Sequence, residues 1–74
     1  MREKKMEETE KLRVLLPHWI EHNSEHAEEF REWAQKAGPA QGALSDAARL
    51  LEQANDRLQE ALGKLGGPLE HHHG

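Results

Sequence analysis

Three histidines, His18, His22 and His26, stand four residues apart in the run Leu15-Leu16-Pro17-His18-Trp19-Ile20-Glu21-His22-Asn23-Ser24-Glu25-His26. On a helix of about 3.6 residues per turn, positions i, i+4 and i+8 fall on one slowly drifting line. Imidazole is the commonest protein ligand for borderline divalent metals, so the row is a candidate metal site. Helix geometry limits it. A rise of ~1.5 Å per residue separates His18 from His26 by ~12 Å along the axis. Ligand nitrogens must lie ~2.0–2.1 Å from a zinc-like ion. An i, i+4 pair can chelate one ion, and three in a straight row cannot under ordinary rotamers. Two of the three are therefore expected to form a half-site. The remaining ligands would come from a second subunit, the chain terminus or water. Glu21, Glu25 and Glu29 are spaced to accept the other ring N–H of each imidazole, and Trp19 is placed to shield the site from water.

A second cluster, His71-His72-His73, closes the chain ahead of Gly74. The run Leu69-Glu70-His71-His72-His73 has the look of a purification-tag scar. It holds three histidines rather than six and ends in glycine, and it reads as a native tail. Such a run binds borderline metals loosely, so these histidines are expected to be auxiliary ligands.

Both His18-Trp19-Ile20-Glu21-His22 and His22-Asn23-Ser24-Glu25-His26 fit H-x-x-E-H, an order in which large metallopeptidases place two zinc ligands and a general base. A chain of 74 residues leaves no room for a substrate cleft or a second lobe, so no enzymatic activity is expected. The plain alternative is a helix whose histidines are incidental.

The elements that must carry the row are helical. Residues 1–11 form a charged lead-in. Apolar periodicity begins at Leu12, and Leu12, Leu16, Trp19, Asn23, Phe30, Trp33, Ala34 and Ala37 share one stripe. Trp19 and Trp33 are expected to anchor the core. Asn23, and Asn55 further on, are expected to fix register or dimer orientation. Helix 1 is expected over about 5–37. It should kink near Pro17, because the apolar ladders keep phase across the proline. Gly38-Pro39 ends it. Helix 2 is expected over about 40–65, with Leu44, Leu51, Leu58 and Leu65 at sevens and Ala47, Ala54 and Ala61 beside them. Gly66-Gly67-Pro68 stops it, and 66–74 is a tail. The short connection makes the helices antiparallel neighbours.

The fold class is thus all-α: an antiparallel helical hairpin, dimerising as a coiled-coil-like four-helix arrangement. The chain lacks cysteine, which excludes disulfides and thiol chemistry. So small a chain needs a partner, and a second copy is the simple remedy. A net charge of −4 disfavours nucleic acid. No apolar run approaches the ~18 residues of a membrane span and no signal peptide opens the chain, so a cytoplasmic location is expected.

The segment from His18 to His26 reads H-W-x2-H-x3-H. It resembles the nickel-binding motif of the histidine-rich accessory proteins of carbon monoxide dehydrogenase. Those are small helical dimeric nickel chaperones with a His-rich C-terminal region. The resemblance covers about nine residues closely and the helical plan loosely. It implies nickel(II) binding through His18, His22 and His26, homodimerisation, and delivery to a nickel enzyme. The expected function is a metallochaperone or small metal buffer. The alternatives are a helical-hairpin adaptor, or a site for Zn2+, Co2+ or Cu2+ instead of Ni2+.

Overall fold

The computed structural model describes residues 3–69, with side chains from Glu8 onward. Two helices make up the fold: α1, Glu3–Ala34, and α2, Gln41–Lys64. They pack side by side as an antiparallel hairpin, and the fold is all-α. Between them the chain turns through Gln35-Lys36 and a single 3₁₀ turn, Gly38–Ala40. Gly38 sits in the left-handed region at φ +57°, which glycine alone adopts without strain, and Pro39 pre-sets the first residue of the turn that feeds α2.

Pro17 lies inside α1, and the helix runs unbroken through it. A proline has no N–H, so the Arg13 carbonyl one turn earlier loses its helical donor. That carbonyl instead accepts the Leu69 N–H, at 3.3 Å, from the segment that follows α2. The Arg13 side chain reaches the same segment. Its Nε donates to the Gly67 carbonyl at 2.8 Å, and its Nη2 donates to the Gly66 carbonyl at 3.3 Å. The end of α2 is itself closed by a Schellman arrangement. The Gly67 N–H bonds the Leu62 carbonyl at 2.9 Å and the Gly66 N–H bonds the Gly63 carbonyl at 3.1 Å. Gly66, at φ +106°, makes that reversal possible. The open end of the hairpin is therefore clamped to α1 at Arg13, and the charged turns before it extend past α2.

The seam between the helices is built from small residues. Ala27, Ala34 and Ala48 are 1%, 2% and 0% exposed, with Leu16 and Leu62 buried towards the clamped end. Alanine lets the backbones close in, and bulk at those positions would hold them apart. In the middle of this seam sits Asn55, the one buried polar residue among those described. It accepts from Asn23 Nδ2 at 3.0 Å, and its own Nδ2 donates to the Ile20 carbonyl at 3.0 Å and to Ser24 Oγ at 3.1 Å.

The apolar stripe expected on α1 is thus rotated relative to the true seam. Leu12, Trp19 and Trp33 are 39%, 43% and 63% exposed, and neither tryptophan anchors the hairpin core. The line Leu16–Asn23–Ala27–Ala34 packs against α2 instead, because an alanine-lined contact has no room for an indole. The two asparagines pair with each other inside one hairpin, so in this structure they set the register of α1 on α2.

Candidate metal site

In the hairpin, His18, His22 and His26 all lie on the solvent side of α1. The His18 and His22 rings stack with centroids 6.1 Å apart and planes 17° apart, as i, i+4 neighbours on one helix face. His26 lies beside Phe30, with ring centroids 6.2 Å apart. Of the carboxylates expected to accept from the rings, one is bonded and a second lies near its ring without bonding it. His26 Nδ1 is 3.4 Å from Glu29 Oε1, a long hydrogen bond. His22 Nδ1 is 3.9 Å from Glu25 Oε1, outside hydrogen-bond range. A ring that donates from Nδ1 to a carboxylate keeps the Nε2 lone pair for a metal. Glu21 lies apart from this pattern. With His18 it lines a groove also formed by Arg13, Val14, Pro17, Pro68 and Leu69.

Each i+4 step turns about 40° round the helix. The row therefore winds across the outer side of α1. His26 lies nearest the flank that carries Leu12, Leu15, Trp19 and Trp33. His18 lies farthest from it, on the side of Pro17. Turned the same way from the seam, α2 presents Ala47, Leu51, Leu58 and Leu65, and on antiparallel helices these two flanks share one side of the hairpin. The opposite side is polar, and there Arg31 bonds both carboxylate oxygens of Glu52 across the helices. The hydrogen bond to Arg31 is the main reason that the Glu52 carboxyl is held below its ordinary range.

Among the described residues, no three His, Cys, Asp or Glu side chains converge closely enough to hold one ion. The expected auxiliary set, His71, His72 and His73, lies outside the described residues. Arg13 had no part in the sequence expectations. The signal for it was present: a proline four residues downstream frees the Arg13 carbonyl.

The fold and site define a two-helix hairpin with an exposed imidazole row beside an apolar side. The chain belongs to a family described as a domain of unknown function, DUF8180, whose model matches residues 12–65. That span includes the row and stops short of the terminal histidines. An uncharacterized protein of Archaeoglobus fulgidus is 39% identical over 61 residues, covering 77% of this chain and 98% of that protein. No solved structure matches the chain.

Proposed function

We propose that the protein is a non-enzymatic nickel(II)-binding metallochaperone or small metal buffer, working in the cytoplasm as a homodimer and passing its ion to a nickel enzyme. His22 and His26 supply one half-site, a second copy supplies the matching pair, and His18 extends the row. His71, His72 and His73 are auxiliary ligands. The observation that carries this reading is the geometry of the row. Its imidazoles are solvent-facing, two have a carboxylate near Nδ1, and His26 stands at the rim of an apolar side that a second hairpin would cover. The choice of nickel rests on the resemblance of the H-W-x2-H-x3-H segment to known nickel-binding proteins. None of the described helices is long and apolar enough to cross a membrane.

Calorimetric titration of the metal-free protein with nickel tests the proposal. Uptake at a Kd of about 1 μM or tighter is expected, with at least a tenfold loss in His22→Ala. Undiminished uptake in His22→Ala would remove the row from the site. Absence of uptake once the terminal histidines are replaced would make the hairpin an adaptor. X-ray absorption spectroscopy separates octahedral or square-planar nickel from tetrahedral zinc. Imidazole ligates only when neutral, so uptake should fall in acid, and acid-insensitive binding would contradict imidazole ligation.

A further inference from the structure

A two-fold interface between copies of one chain is self-complementary: each residue meets one placed equally far beyond the axis. The apolar side of the hairpin has that symmetry. On α1, Trp19 and Trp33 stand seven residues before and seven after His26. Helix geometry puts all three within about 20° of one line, each indole position ~10.5 Å from His26 along the axis. Both indoles lie outside the seam, 43% and 63% exposed. On α2, leucines and alanines mirror one another about the mid-point between Leu51 and Ala54: Ala47 answers Leu58, and Leu44 answers Ala61. Laid on a reversed copy of itself, that ladder sets a leucine against an alanine at every step. The two centres coincide. Asn23 bonds Asn55 across the seam, so on antiparallel helices His26 stands level with position 52, within ~1 Å of the α2 mid-point. One axis crossing both helices at right angles serves both ladders.

We propose that a second copy of this chain docks on the apolar side with α1 against α1 in antiparallel register, the two-fold axis passing at His26, so that Trp19 of each copy meets Trp33 of the other. The inference rests on the dimer of the reading above and not on its metal. The face is large enough for a stable contact. With 24 residues in α2, the paired helices are about 36 Å long and about 20 Å wide, or about 700 Å² per copy, near the ~800 Å² per partner of ordinary stable interfaces. The indoles pair as aromatics across the axis, and on α2 each leucine fills the space above an alanine. An axis running along the helices would instead lay α1 on α2 of the other copy and use neither symmetry. The antiparallel register also sets the two His26 rings against each other, with His22 of each copy one turn to either side.

Disulfide trapping of the full chain, with a metal chelator present, tests this. The chain has no cysteine, so every cross-link reports the positions introduced. His26→Cys should join to itself under mild oxidation, because only residues on the axis approach their own copies. Trp19→Cys and Trp33→Cys should each self-link roughly tenfold more slowly, and a mixture of the two should link one to the other at the His26→Cys rate. Circular dichroism checks that each variant is helical, and all three positions lie outside the hairpin seam. Fast self-linking of Trp19→Cys, or linking of Trp19→Cys to Leu58→Cys rather than to Trp33→Cys, would overturn the register and leave the dimer of the nickel reading intact. A parent chain that sediments as one copy would overturn the docking itself, while nickel titration reports separately on the histidines.

Discussion

At the scale of single residues, Asn55 decides how α1 and α2 meet. A buried amide without partners is costly, and this one satisfies its oxygen with Asn23 and its nitrogen with Ile20 and Ser24. Among the described residues no buried side-chain nitrogen or oxygen lacks a partner. Sliding α1 along α2 by one turn would break all three bonds and bury the amide against apolar groups. Asn55→Ala leaves the Asn23 amide unmatched in the seam and should lower stability by about 2 kcal/mol in urea unfolding. Replacing both partners, Asn23→Leu with Asn55→Leu, removes the unmatched group and should recover most of that loss. If the double variant were no more stable than Asn55→Ala, the pair would not be what holds the register.

At the scale of the elements, the helices and their antiparallel packing were legible from periodicity, from the Gly38-Pro39 break and from the shortness of the connection. The rotation of α1 was not. A pattern reading centres a stripe on its largest apolar residues, here Leu12, Trp19 and Trp33. The seam centres on Ala27, Ala34 and Ala48, whose own hydrophobic signal is small and whose value lies in letting backbones approach. Polar Asn55 sits on the same line, which weakens the pattern further. The histidine row was legible as a line on one helix. The groove that His18 shares with Pro68 and Leu69 was not, because it depends on a carbonyl freed by Pro17 and claimed from residue 69. The Arg31–Glu52 pair is the other cross-helix tie. With the Glu52 carboxyl held below its ordinary range by Arg31, the pair contributes stability above the unfolded carboxylate value, and that contribution disappears as pH falls through the folded value. Thermal melts of the parent and Glu52→Gln should differ slightly at neutral pH and converge in acid. A gap that persisted at the acid end would assign the difference to something other than the ion pair.

At the scale of the whole molecule, the hairpin is two-sided. Arg13, Ser24 and Arg31 with Ser45, Glu52 and Gln59 make one side polar. Leu12, Leu15, Trp19 and Trp33 with Ala47, Leu51, Leu58 and Leu65 make the other apolar, and an apolar side of this kind marks an interaction surface. A second copy laid on it would form the four-helix arrangement of the proposed dimer. Sedimentation should give the mass of two chains at micromolar concentration. Trp19→Glu should return it to one chain without loss of helix, since Trp19 is outside the hairpin seam. A Trp19→Glu variant that stayed at the mass of two chains would place the contact elsewhere.

The connection between the helices limits what kind of dimer that can be. Helical hairpins often exchange partners by domain swapping, in which the turn straightens and each chain lends a helix to the other. Here the turn contains Gly38 at a positive φ and Pro39 at the start of the 3₁₀ turn. Straightening it into continuous helix would set Pro39 against the Gln35 carbonyl, at about 3 kcal/mol per chain. Association by intact, closed hairpins is favoured over swapping by that margin. Each copy then keeps its own clamp at Arg13 on the segment that follows its own α2.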